Sequence, residues 1–215
     1  MWESTQVNPD EWCALVHVDI GMRTGLEVVE DALRSFVAGS ASSSGVIELV
    51  ALKDERRPNH FEVVGRFGSE AAYHEHQVAE PNLAFRRSIG PVLGSPYEDR
   101  LHGARGRQHW PGAKVGDFVV ITQMEARPDR LDAATTRFDA FVSERSAGPG
   151  LLGQVALQRR YLPNNLEVVS VWSGPEAFDD HAGSSAASRA GLEEVLLAPI
   201  EDRRFELFAG SWATP

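Results

Sequence analysis

The feature that most constrains this chain is that it matches itself at an offset of 105 residues, so its 215 residues read as two copies of one module. Val50-Ala51-Leu52, Pro58-Asn59 and Glu62-Val63-Val64 return as Val155-Ala156-Leu157, Pro163-Asn164 and Glu167-Val168-Val169. The same offset pairs Leu26 with Leu131, Phe36-Val37 with Phe141-Val142, Gly45 with Gly150, Ala72 with Ala177 and His76 with His181. After a slip of two residues, Pro96-Tyr97-Glu98-Asp99-Arg100 corresponds to Pro199-Ile200-Glu201-Asp202-Arg203. We therefore expect a first repeat over 10–103, a Gly- and Arg-rich linker over 104–116 and a second repeat over 117–210.

The hydrophobic pattern gives each copy the same order of elements. Residues 12–20 and 117–125 have strand periodicity. Thr24 and Glu27, spaced as a capping box, open a helix carrying Leu26, Val29, Leu33, Phe36 and Val37 at helical intervals; Asp129 opens its counterpart. Two strands follow in each copy (46–53 and 60–67; 151–161 and 165–172), joined by a turn bearing Pro58-Asn59 or Pro163-Asn164. Ser69 and Gly174-Pro175 have helix-start chemistry, and a last strand is predicted near 97–102 and 201–208. The order β-α-β-β-α-β is ferredoxin-like, an α+β arrangement with helices on one sheet face. Its other face must be buried, and two sheets packed face to face would do so.

Composition excludes several functions. With a net charge of −10 and pI near 5.2, the chain is a poor partner for a phosphate backbone or an anionic membrane, so neither nucleic acid nor membrane is expected. Cys13, the single cysteine, forms no intramolecular disulfide, and the first residues lack a signal peptide's basic and apolar regions, which points to the cytoplasm. Gly148-Pro149-Gly150-Leu151-Leu152-Gly153 satisfies a dinucleotide-binding pattern but follows a helix and enters a strand, so it reads as a turn. His74-Glu75-His76 places two imidazoles on different sides of a helix, and no metal is expected.

The run Glu167-Val168-Val169-Ser170-Val171-Trp172-Ser173-Gly174-Pro175-Glu176-Ala177-Phe178-Asp179-Asp180-His181 resembles the third strand and second helix of antibiotic biosynthesis monooxygenase (ABM) domains. Glu62 to His76 resembles it too, with Phe67 in the Trp172 position. Such domains usually pair as two chains into a dimeric α+β barrel. The resemblance implies two tandem ferredoxin-like repeats forming a single-chain, pseudo-dimeric α+β barrel, as a monomer or a homodimer. It implies oxygenase activity on an aromatic polyketide, an anthrone- or angucycline-like phenol or quinone of antibiotic biosynthesis. Molecular oxygen is then the only co-reactant, or reduced flavin (FADH2 or FMNH2) accompanies it.

The resemblance also implies site residues. Quinone-forming members carry a Trp on the third strand, an Asn four residues before it, a Tyr six residues after it and an Arg twenty residues after it. Copy two has Trp172 but Phe178 and Leu192; copy one has Phe67, then Tyr73 and Arg87, with Arg86 adjacent. The Asn position is Val63 or Val168. Copy one is the expected pocket: Phe61, Val63, Gly65 and Phe67 share a strand face, and Gly65, opposite Ser170 in the other copy, leaves room for a ligand. His17 and Asp19 share a face of the first strand where copy two is read as having Thr122 and Met124. His17 is the expected base, with Asp19 fixing its tautomer. Arg87 is expected to hold the substrate's oxyanion and Tyr73 to donate to a carbonyl. A non-catalytic, chaperone-like polyketide binder is the alternative. Haem degradation ranks lower, because 12–20 and 117–125 contain no Asn.

Overall fold

The computed structural model describes residues 10–21, 25–108 and 114–211, with backbone alone for 107, 108 and 211. The first repeat contains β1 (Trp12–Asp19), α1 (Leu26–Ser40), β2 (Val46–Asp54), β3 (His60–Phe67), α2 (Glu70–Val78), α3 (Glu80–Ile89) and β4 (Glu98–Gln108). The second contains β5 (Phe118–Glu125), α4 (Leu131–Arg145), β6 (Leu151–Arg159), β7 (Asn165–Trp172), α5 (Pro175–Ser184), α6 (Ala186–Glu193) and β8 (Glu201–Ser211). The strands are hydrogen-bonded in the closed order β1-β3-β2-β8-β5-β7-β6-β4, so the chain is a single-chain α+β barrel of two ferredoxin-like repeats. No helix among the described residues is long and apolar enough to cross a membrane.

Two compact units divide the chain. One holds the first repeat to His102, Lys114–Gly116 and the end of β8 from Phe205; the other holds β4 from Gly103 and the second repeat to Arg204. The stretch expected as linker therefore begins as strand, since β4 runs to Gln108. In the first unit β3 is central, pairing antiparallel with β1 (Trp12↔Phe67 to Asp19↔His60) and with β2. β2 pairs on its other edge with the end of β8 (Asp54↔Phe205 to Leu49↔Ser211). In the second unit β7 is central between β5 and β6. The irregularity between Val46 and Glu48 is repeated between Leu151 and Gly153.

Local chemistry explains the elements. Ser69 Oγ accepts from the Ala72 amide at 3.1 Å and caps α2, and Pro175 occupies the first turn of α5, where no amide hydrogen is needed. Thr24 of the expected capping box lies outside the described residues; α1 starts after Gly25 without a side-chain cap. Gly45 and Gly150 precede β2 and β6 at φ of +76° and +81°, so the Gly-rich motif ending at Gly150 is a turn into a strand. The first helix–sheet core joins Val16, Val18, Phe61 and Val63 to Leu33, Phe36, Phe85 and Ile89, and the second joins Met124, Leu166 and Val168 to Phe138, Phe141 and Leu192.

Candidate functional site

Two residues expected in the site do meet. Tyr73, on α2, donates its hydroxyl to Asp99 Oδ2 at 3.0 Å, and Arg86 Nη2, from α3, reaches the same oxygen at 3.1 Å. Arg86 also lies over the Tyr97 ring at 4.4 Å and pairs with Gln77. Burial holds the Asp99 carboxyl above its ordinary pKa, although Arg86, Tyr73 and Tyr97 pull it down. Burial, then the adjacent carboxylate, raises the Tyr73 phenol. Asp99 thus engages both of the groups that were expected to donate to a substrate.

Arg87 is not part of this group. It points to solvent, 63% exposed, and pairs with Glu80 at 2.5 Å. An α-helix of 3.6 residues per turn turns neighbours about 100° apart, so only Arg86 faces inward. Arg87→Ala is expected to change stability by no more than about 0.5 kcal/mol in urea denaturation, whereas Arg86→Ala, which leaves buried Asp99 short of its cation, costs about 1–3 kcal/mol.

The second repeat has its own version of the cluster. Asp202 accepts from Thr122 Oγ1 at 2.8 Å and pairs with Arg189, and Arg145 Nη1 donates to Thr122 Oγ1 at 2.9 Å. Arg189 corresponds to Arg86 and Asp202 to Asp99 because α6 is two residues shorter than α3. The cation is therefore present in both repeats, although position 192 is Leu. Arg145 is almost wholly buried, and burial lowers its pKa to about 10.

The pocket expected beside Gly65 is filled. Phe61, Val63 and Phe67 do share the helix-facing side of β3, but all three are buried core. A Cβ on Gly65 would meet the Phe67 ring at 3.0 Å and Leu49 Cδ1 at 3.1 Å, so these two side chains occupy the space. Trp172 is equally enclosed. Its indole donates to Ser170 Oγ at 2.9 Å and packs on Phe178 and His181, a core role.

His17 and Asp19 lie on the opposite face of β1, away from Tyr73, since Trp12, Ala14, Val16 and Val18 face the helices. They do not contact each other through the expected hydrogen bond. His17 Nδ1 meets Glu62 Oε2 at 2.6 Å, while Asp19 binds His60 Nδ1 and receives Ser95 Oγ at 3.4 Å. Burial raises the Asp19 pKa, but the His60 hydrogen bond and charge outweigh it, and the net shift is downward. Neither His60 nor Glu62 was singled out from sequence. The strand register was the available signal, since His17 is opposite Glu62 and Asp19 is opposite His60.

An open cavity of about 620 Å³ lies between α1 and the β2/β8 edge of the first unit. Its walls include Val37, Ala38, Leu49 and Phe208, with Arg34 at the rim. The Arg34 guanidinium lies 4.2 Å from the centre of the Phe208 ring. The volume falls within the range of about 300–1,000 Å³ usual for small-molecule sites.

Fold and core define a tandem ferredoxin-like α+β barrel protein. Residues 117–191 match the sequence model of the family described as "Antibiotic biosynthesis monooxygenase". The match lies within the second repeat, which is similar to that family in sequence, and the first repeat has the same order of elements. Solved structures share the fold. A putative monooxygenase from Fusobacterium nucleatum is 12% identical with a TM-score of 0.85, covering 95% of each chain. A putative monooxygenase from Lactobacillus acidophilus is 9% identical with a TM-score of 0.72, covering 95% of this chain and 100% of that one. An anthrone oxidase-like protein is 12% identical with a TM-score of 0.72, covering 98% and 97%. No curated protein matches the chain in sequence.

Proposed function

We propose that this chain is an oxygenase whose substrate is a flat aromatic polyketide, an anthrone- or angucycline-like phenol, taken into the cavity between α1 and β2/β8. That cavity is the observation carrying the reading. Val37, Ala38 and Leu49 offer an apolar wall, and the Arg34 guanidinium, stacked on the Phe208 ring, offers a cation to a phenolate. An anthrone that loses a proton becomes an electron-rich anion able to reduce oxygen; one dioxygen then supplies the quinone oxygen and leaves as one water. In the flavin version the product is the singly hydroxylated ring and not the quinone: one oxygen atom enters the substrate, and reduced flavin, leaving oxidised, supplies the two electrons and two protons that take the other atom to water. The ABM match supports the reaction class.

A second reading, a polyketide binder without turnover, is favoured by one observation. The Tyr73–Arg86 donor pair is engaged by Asp99, and Thr122 and Arg189 are engaged by Asp202. Oxygen uptake with a tricyclic anthrone, with and without reduced flavin, separates the readings. Uptake in either arm supports the oxygenase, and saturable binding without uptake leaves the binder. Ala38→Trp, on an exposed position of the cavity wall, is expected to weaken anthrone binding at least tenfold without unfolding the chain, as read by fluorescence titration beside circular dichroism. Unchanged affinity would move the substrate elsewhere.

A further inference from the structure

We infer that the first repeat holds a binding site for a divalent first-row transition metal, formed by His17, His60 and Glu62 and oriented by Asp19. This goes beyond the oxygenase reading, does not depend on it, and reverses the expectation from sequence that no metal binds. One ring nitrogen of His17, one of His60 and a carboxylate oxygen of Glu62 lie within 4.8 Å of one another. Donors sharing one ion at about 2.0–2.2 Å sit roughly 3–3.5 Å apart. The 2.6 Å from His17 Nδ1 to Glu62 Oε2 and the 4.0 Å from His60 Nε2 to the same oxygen bracket that spacing. Side-chain adjustments of under about 1 Å would centre an ion, with no change to the β1–β3 ladder that holds all three residues.

The surroundings match what metal histidines need. Asp19 binds Nδ1 of His60, which turns Nε2 toward Glu62, the carboxylate–histidine–metal relay that fixes ring and tautomer. The two imidazole rings stand 5.5 Å apart at 44°, close enough to share an ion without stacking. Glu62 is fully buried and the His60 side chain nearly so, while His17 and Asp19 reach solvent, giving an ion a way in. Two imidazoles and one carboxylate suit zinc, iron(II), cobalt or manganese rather than calcium or magnesium, which demand oxygen. Three protein donors leave a position for water or a ligand oxygen.

The second repeat serves as an internal control. In its ladder Gln123 stands opposite Glu167 and Glu125 opposite Asn165, the places held in the first repeat by His17, Glu62, Asp19 and His60. The carboxylates stay and both imidazoles become amides, which are weak ligands for such metals. The metal-type donor set therefore belongs to the first repeat alone among these paired positions.

The test uses the full chain after chelator treatment, titrated with Zn2+ by calorimetry and with Co2+ by visible absorption. One equivalent per chain is expected, with Co2+ bands of a nitrogen–oxygen site. His17→Gln and His60→Gln should each weaken binding at least tenfold, and Asp19→Asn about 10–100-fold. His74→Ala, on an exposed histidine, should change nothing. If His60→Gln fails to fold, His17→Gln at a partly exposed position decides the matter. No stoichiometric binding, or binding untouched by His17→Gln, overturns the proposal, and neither result bears on oxygen uptake.

Discussion

Arg66→Val is expected to cost about 3–5 kcal/mol of stability, read as a lower midpoint in urea at pH 7. Arg66 lies on β3, 3% exposed, with Nε 2.7 Å from Glu11 Oε1 and Nη1 paired with Glu48. Burial alone would lower its pKa, but Glu11 and Glu48 outweigh burial and raise it. Taking away the guanidinium leaves Glu48, itself buried, without its cation, and that desolvated charge accounts for most of the expected loss. The second repeat solves the same position without charge: Val171, fully buried, stands at the Arg66 place and Gly153 at the Glu48 place. Arg66→Val combined with Glu48→Gln is therefore expected to recover much of the stability that Arg66→Val loses. A loss under about 1 kcal/mol for Arg66→Val alone would mean that water replaces the guanidinium and that the triad contributes little.

The repeat, the element order and the correspondence of β3 with β7 were legible because those segments carry identities at one fixed offset. The site was less legible because the offset changes on either side of them. Five residues, 21–25, separate Ile20 from α1, while four, 127–130, separate Ala126 from α4. β1 and β5 therefore correspond at an offset of 106, as Trp12↔Phe67 and Phe118↔Trp172 show. In a strand a one-residue slip exchanges the faces. Thr122 and Met124 match Val16 and Val18, and the true counterparts of His17 and Asp19 are Gln123 and Glu125. The shorter α6 hid Arg189 in the same way. Gly65 misled for another reason, since a missing side chain opens space only if no neighbour fills it, and whether Phe67 folds over the gap depends on packing that spacing does not encode.

Between pH 6.5 and about 4 the protein is expected to lose about 2–4 kcal/mol of stability through His76 alone. Burial, then the charge of Arg86, lowers this imidazole's pKa from 6.5 to about 4. It is buried, packed 5.1 Å from the Phe67 ring and 5.5 Å from Phe36, an apolar setting that disfavours a cation. The unfolded chain takes up the proton below pH 6.5 and the folded chain only below about 4, so protons favour unfolding throughout that window. The contribution is complete above pH 6.5, falls away as acid is added and is exhausted near pH 4. His181, its counterpart, is lowered by burial and then by Arg145, so it acts with the same sign. Asp99, raised by burial, acts with the opposite sign and offsets part of the acid loss. The test is therefore a difference, with urea midpoints of wild type and His76→Leu compared from pH 7.5 to 4. Leucine keeps the apolar contact with Phe36 and Phe67 and removes the titration, so the variant's profile should be flatter by about the amount assigned to His76. Parallel profiles would mean that the imidazole is solvated in the folded protein and that the pH dependence of folding arises elsewhere.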